Sequence, residues 1–374
     1  MNFESLQQAL GKPLGEMDMS IEFILPSKKS LIIGSGNRTA VVSIHNNRAA
    51  RSLFFLNENG IIESYLRGDL DIEGSMMDVL KLRSFLKSGH GLSWLTRFAL
   101  PAFLGQVFTN RKAIQKHYEL DPEFYLSFLD ATYPAYTQGV YAAPDESLAV
   151  ATERKLAFAA DACKMDENSQ ILEVGPGWGA FIKYLMPRKV GITAITISPQ
   201  SKAYLENKFP IPNLRVIDQD FLTYQPGRKF NAVTIMGVIE HLPQYDRVCR
   251  KLREILVPGG FAYLDASASK VKFELSKFIY KHIFPFNHSF LHLDGFLKAA
   301  KKEGLELVSL HDDSWDYQKT IETWASNLES HRERLVSRFG EYNFRRFRLY
   351  LWGSAVAFDE GTLQCHRIVL RNPG

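Results

Sequence analysis

The run ILEVGPGWGAF at residues 171–181 constrains this chain most: a short apolar segment enters three glycines at alternate positions and leaves as a helix. Glycine accepts the backbone angles of a tight turn and lets a ligand approach the main chain closely. The amide groups that open the following helix favour an anionic group. Around this run the pattern alternates. Ser147–Cys163 reads as a helix, Gln170–Val174 as a strand, Ala180–Met186 as a helix, Gly191–Ile197 as a strand and Gln200–Asn207 as a helix. Leu214–Asp218 and Asn231–Met236 read as strands, Tyr245–Leu256 as a helix and Gly260–Leu264 as a strand. Such alternation predicts an α/β, Rossmann-like doubly wound sheet that binds its ligand at the carboxyl ends of the strands.

At 374 residues the chain has room for a second domain. Hydrophobic residues at 45% and charged residues at 23% exclude disorder throughout, collagen and coiled coil. Cys163, Cys249 and Cys365 are scattered, which excludes a disulfide-stapled fold and a thiolate zinc site and fits the reducing cytoplasm. A net charge of +4 does not point to nucleic acid. No signal peptide or membrane span is legible. Residues 20–75 read as β-rich: Ser20–Leu25, Ser30–Ile33 and Ala40–Ile44 are short strands, Arg48–Leu56 continues the set, and the following NENGIIESYLRGDLDIEG carries turn signals. Met76–Leu86 has helical spacing. The apolar segment 91–108, followed by Arg111, Lys112 and Lys116, reads either as a buried helix pair between domains or as peripheral contact with an anionic inner membrane surface. The division expected is a smaller N-terminal α+β accessory domain, 1–88, a linker, 89–112, and a catalytic domain, 113–374.

Two cofactors compete for the glycine loop. Gly175-x-Gly177-x-x-Ala180 fits a dinucleotide fingerprint, which also wants an acid some 20 residues on for the ribose. The second strand offers Thr196 and Ser198 there, and no acid. Glu173, two residues before the first glycine, makes the pattern acid-x-Gly-x-Gly-x-Gly, which resembles the first motif of S-adenosylmethionine methyltransferases. Asp220-Phe221 after the third strand suits an adenine, the acid accepting from its amine and the ring covering its face; a simple turn is the other reading of Asp220. Together these favour S-adenosylmethionine over a nicotinamide.

The remaining blocks narrow the class. IQKHYELDPEFYLSFLDATYPAYTQGVY, residues 114–141, resembles the opening of the catalytic domain in cyclopropane-fatty-acid synthases and mycolic acid methyltransferases. Thr196-Ile197-Ser198, Val238-Ile239-Glu240-His241, Tyr317-x-x-Thr320-Ile321-x-x-Trp324, Arg348-Leu349-Tyr350-Leu351 and Phe358-x-x-Gly361 resemble later blocks of that family, in order. SYLRGDLDIEG, residues 64–74, resembles the end of the N-terminal domain of its longer bacterial members. The resemblance implies that Tyr118, Tyr136 and Thr137 close over the methionine end of the donor. Glu173, Gly175, Gly177 and Gly179 would hold its amino acid portion, Thr196 and Ser198 would lie by the ribose, and Asp220 and Phe221 would bind adenine. Where the family often has Gln, position 201 is Ser, with Gln200 beside it. Larger family members suggest a homodimer.

The reaction the resemblance implies is attack of an alkene on the sulfonium methyl, then loss of a proton from the resulting carbocation. It needs a dry chamber, aromatic faces and a base. The family often supplies the base as bound bicarbonate, held by a Cys, a Glu, a His and a Tyr. Here those positions are Gln138, Glu240, Asp265 and Tyr317. A carboxylate at 265 would repel an anion, so bicarbonate is doubtful. Asp265 could itself be the base, proton loss could be absent, or the substrate could differ from a simple acyl chain. His282, His288 and His292 invite a metal reading, but a lipid-pocket wall suits them better and no metal is expected. Asp312-Asp313 reads as a loop, and the basic run 331–352 as a solvated face or a contact for anionic headgroups. Three functions remain in view: C-methylation of an unsaturated membrane-lipid chain, C-methylation of a small-molecule alkene, and a non-catalytic donor- or lipid-binding module.

Overall fold

A computed structural model describes residues 3–86, 120–269, 276–284 and 289–374. The apolar segment 91–108, its basic neighbours, Tyr118 and His288 lie outside the described residues. Among the described residues, no helix is long and apolar enough to cross a membrane. The described residues fall into two units.

The first unit comprises those within Met1–Thr96, Lys277–Ile283 and Leu328–Val356. Its sheet has the strands β1 (Met19–Ile24), β2 (Ser30–Gly34), β3 (Asn37–Ile44) and β4 (Leu70–Gly74), in the order β2-β1-β3-β4. β1 runs parallel to β3 and antiparallel to β2, and β4 runs antiparallel to β3. Ile21 and Phe23 on β1, and Ala40, Val42 and Ile44 on β3, are buried at alternate positions, as one covered sheet face requires. Leu6, Leu10 and Leu14, spaced by four on the helix Phe3–Glu16, are buried too.

The expected strand at Arg48–Leu56 is a helix, Asn47–Phe54. Asn46 decides this locally: its side-chain oxygen accepts from the amides of Arg48 and Ala49 at 3.1 and 3.0 Å, which satisfies the free donors of a helix start. The turn signals that follow punctuate a second helix, Glu58–Arg67, capped by Asn57 and ended by Gly68 at φ +79°.

The basic run was expected within a catalytic domain spanning 113–374. Residues 328–356 instead belong with the N-terminal sheet, because their arginines complete it. Arg345, 8% exposed, donates to the carbonyls of Tyr65 at 3.1 Å and Leu70 at 3.0 Å, and pairs with Asp71 and Glu341. Arg348 donates to the carbonyl of Ile72 at 3.0 Å and to Glu329 at 2.6 Å. These two side chains are structural rather than a solvated face. Arg345→Met should therefore destabilise the first unit by about 3 kcal/mol, since buried carbonyls lose charged donors. Urea unfolding of the full chain, followed by a probe in that unit, reads this; an unchanged midpoint would rule it out.

The second unit comprises the described residues of Arg97–Ser276, Phe284–Asn327 and Ala357–Gly374. Its strands are β5 (Gln170–Val174), β6 (Gly191–Thr196), β7 (Leu214–Asp218), β8 (Phe230–Met236), β9 (Leu256–Ser269), β10 (Glu306–Asp312) and β11 (Leu363–Arg371), in the order β10-β11-β9-β8-β5-β6-β7. β5 to β9 pair in parallel; β11 is antiparallel to both β9 and β10. Strand residues alternate between two cores. Leu172, Ile195, Val233, Leu264 and Ile368 pack with the helices Tyr245–Ile255 and Leu293–Lys302. Ile171, Ala194, Ala232, Tyr263 and Val369 pack with Leu148–Ala162 and Ala180–Leu185. The doubly wound α/β sheet expected from the sequence is thus present, and its order reverses beside β5, where such sheets place their ligand.

Candidate active site

Beside the loop after β5 lies a cleft lined by Gly175, Gly177 and Trp178. Gly175, Gly177 and Gly179 have φ of +69°, +53° and +78°, values that explain three glycines in five residues. A Cβ at Gly177 would meet nothing within 4 Å, so this backbone faces open space. A Cβ at Gly179 would lie 2.4 Å from the ring of Phe209, so that glycine serves packing. Glu173, at the end of β5, is buried, and its Oε2 has no partner among the described residues. Burial pushes its carboxyl up to about 8.

On the next strand, the Thr196 hydroxyl accepts from the Ser198 amide at 3.1 Å. Ser198 caps the helix Pro199–Lys208 through the Ser201 amide at 3.2 Å. Thr196 and Ser198 both line the cleft, as do Asp220 and Phe221 after β7. Asp220 also has its turn role, accepting from the Leu222 amide at 2.8 Å. Gln200 is exposed and touches Ser198 at 3.4 Å; Ser201 beside it lines the cleft instead and donates to the carbonyl of Gly177 at 2.8 Å. His241, on the short helical turn Ile239–His241, is a further lining residue.

The cleft borders a buried polar cluster through Gly237, which lines it and whose amide donates to the Asp265 carbonyl at 3.0 Å. A Cβ on Gly237 would meet the Thr137 methyl at 2.6 Å. Asp265, on β9, is completely buried. Its Oδ2 lies 3.3 Å from the ammonium of Lys155, also completely buried, and 3.3 Å from the Tyr263 hydroxyl. Lys155 also donates to Thr137. Burial raises the Asp265 carboxyl above its ordinary value, and Lys155 opposes that rise. Glu240 accepts from the Ser267 amide at 2.9 Å through Oε1, while burial, with a smaller contribution from Asp265, pushes it up to about 8. Gln138 donates to Asp313 at 3.0 Å, and Asp313 pairs with Arg367 at 3.0 Å.

Aromatic rings gather at residues 124–136 and 317–324. Tyr136 lies 5.3 Å from Trp324 and 6.1 Å from Tyr125, and Tyr125 lies 5.8 Å from Trp178. Tyr317 is half-buried, 6.0 Å from Trp324 and 5.0 Å from Phe358.

Three groups escape the sequence reading. Asp313, read as a loop residue, is buried at 2% because it receives Arg367 and Gln138. Ser201 stands out in the sequence only as a departure from Gln. Lys155 reads simply as part of a helix, yet it sits among the buried Ala151, Leu156 and Ala159. A lone charge on an apolar stripe was the available signal. The histidines form no metal centre among the described residues. His292 caps the helix Leu293–Lys302, and His282 contacts Glu63 and Tyr342.

The sheet order and the glycine loop define a class I methyltransferase fold of the kind that binds S-adenosylmethionine. The residues fit that donor: an unpartnered buried carboxylate oxygen at Glu173, open space over Gly177, and no acid at the end of β6. The family model for mycolic acid cyclopropane synthetase matches residues 106–368, and the chain belongs to that family. The sphingolipid C9-methyltransferase of Candida albicans is 24% identical over 333 residues, covering 83% of this chain and 65% of that protein. This chain thus spans just under two thirds of that relative's length. A probable fatty acid methyltransferase of Pseudomonas putida is 28% identical over 280 residues, covering 71% of this chain and 70% of its own. The solved structure of the cyclopropane synthase MmaA2 from Mycobacterium tuberculosis superposes with a TM-score of 0.65 at 22% identity, covering 70% of this chain and 98% of that one.

Proposed function

We propose that this chain is an S-adenosylmethionine-dependent C-methyltransferase acting on a carbon–carbon double bond of an unsaturated lipid acyl chain. The donor, when bound, supplies an electrophilic sulfonium methyl. Glu173 and the Gly177 backbone hold its amino acid portion, Thr196 and Ser198 its ribose, and Asp220 and Phe221 its adenine. The rings of Tyr136, Trp324 and Tyr317 exclude water and face positive charge without reacting with it.

The observation that carries the reading is the pair of buried carboxyls, Glu240 and Asp265, next to the cleft. Methylation of an amine or alcohol needs at most one proton moved from a polar atom. A carboxyl cluster in a dry chamber suits removal of a proton from carbon. The relatives named for sphingolipid and fatty acid methylation support a lipid substrate.

Incubation of the chain with methyl-labelled donor and a total lipid extract, followed by mass analysis, tests this. The expected product is an acyl or sphingoid chain heavier by one CH₂, and its fragmentation separates a cyclopropane from a methyl branch. Label appearing only in a small soluble product would overturn the lipid reading in favour of a small-molecule alkene.

A further inference from the structure

The polar cluster does not suit the anion that relatives of this family often use as a base. Its one lysine, Lys155, is already taken by Asp265 and Thr137. Gln138 turns its amide nitrogen to Asp313, which leaves its carbonyl Oε1 as the free end. The cluster's buried atoms without hydrogen-bond partners among the described residues include three acceptor oxygens, Gln138 Oε1, Glu240 Oε2 and Asp265 Oδ1, while Arg367 Nε is held in its ion pair with Asp313 at 3.0 Å. Among the described residues, bicarbonate entering here would meet three acceptor oxygens, and the cations of the cluster, Lys155 and Arg367, are already paired, so it does not fit.

We propose that Asp265 is itself the proton acceptor of the reaction, with Lys155 the positioning residue that keeps it ionised, so that turnover needs no bound bicarbonate. The inference rests on the alkene reading above. The π pair of the alkene forms the new C–C bond as the C–S bond breaks, its electrons remaining on sulfur. Either a C–H bond of the transferred methyl then breaks and its electron pair closes the ring, or a C–H bond on a carbon next to the cation breaks and its pair restores a double bond; in both cases the proton passes to Asp265. Two carboxyls divide the work. Glu240, without a cation beside it, keeps its proton near neutral pH, whereas Asp265 has the Lys155 ammonium at 3.3 Å. The other titratable or charged groups around Asp265 are Tyr263 on its own strand, Glu240 on the turn after β8, Asp313 after β10, and Cys365 and Arg367 on β11.

The test uses the full chain with S-adenosylmethionine and dioleoyl phosphatidylglycerol vesicles or total lipid extract, in CO₂-free buffer with and without added bicarbonate. The rate should change by less than about twofold, and Asp265→Asn should lose about 100-fold or more in kcat while donor affinity stays within about threefold. Lys155→Met should move the acid limb of the kcat/KM profile to higher pH by about one unit, since the charge that lowers the Asp265 carboxyl is gone. A merely structural lysine would leave that limb in place. Calorimetric titration of bicarbonate into the donor-saturated protein should give no binding heat. Bicarbonate-dependent turnover, bicarbonate binding heat, or Asp265→Asn with wild-type turnover overturns the proposal. The alkene reading fails differently: no lipid gains mass from the donor, whatever bicarbonate does.

Discussion

Gly177→Val is expected to leave the chain folded and to raise the dissociation constant for S-adenosylmethionine by about 100-fold or more, because a side chain would occupy the backbone face a ligand must approach. The space over Gly177 is open, so the fold itself meets no clash there. The remaining penalty is the left-handed backbone at φ +53°, about 1–2 kcal/mol for a residue with a Cβ. Gly179→Val separates binding from folding. Its Cβ would sit 2.4 Å from Phe209 and 2.8 Å from Leu205, so it should destabilise by about 3 kcal/mol or more. Donor titration by calorimetry, paired with thermal unfolding, reads both variants. If Gly177→Val bound the donor normally, the loop would not be the donor's seat.

The second large effect concerns pH. Glu173 and Glu240 have an ordinary carboxyl value of 4.5, and each is pushed up to about 8 in the fold. A raised acid stabilises the fold fully below its unfolded value and loses that contribution as pH rises through its folded value. Between about pH 5 and 8 the donor-free chain should therefore lose stability with rising pH, these two groups together contributing a slope of about 2.8 kcal/mol per pH unit. Glu173→Gln should remove one share, leaving about 1.4 kcal/mol per unit from Glu240. The same variant should weaken donor binding by about 100-fold, since a neutral amide replaces the carboxylate offered to the donor's ammonium. In the parent chain that binding should release a proton at pH 7, because Glu173 must ionise to make the pair. Unfolding by urea across this pH range, and binding heats in two buffers of different ionisation enthalpy, are the measurements. A slope unchanged by Glu173→Gln would show that Glu173 does not hold a proton in the fold.

The doubly wound sheet is legible because its central strands β5, β6 and β8 are short, apolar and largely buried, while the partly exposed edge strand β7 reads from its alternation with helices. Gln170–Val174 and Leu214–Asp218 match the observed strands residue for residue. β9 runs further than Gly260–Leu264 suggests, from Leu256 to Ser269, since pairing with β11 carries it past the polar Asp265 and Ser267. The N-terminal helices were harder. Asn46 and Asn57 read equally as turn residues and as helix caps, and only the tertiary setting decides between them. Most of the cleft lining follows from the loop and the two strand ends after it, and Gly237, Val238, His241 and Leu242 after β8 complete it. The polar cluster does not follow, because Lys155, Asp265, Asp313 and Arg367 come from four elements far apart in sequence, and no local pattern joins them.

Arg345 lies 274 residues from its partner Asp71. During synthesis at about 5–20 residues per second, that separation is roughly 14–55 s. The early four-stranded sheet therefore emerges from the ribosome long before the guanidinium that serves the Tyr65 and Leu70 carbonyls. Vectorial maturation of this unit is closed off by its topology. The nascent polypeptide carries an incomplete module until residue 345 has been added, and a stop codon before that residue would leave the module permanently unfinished.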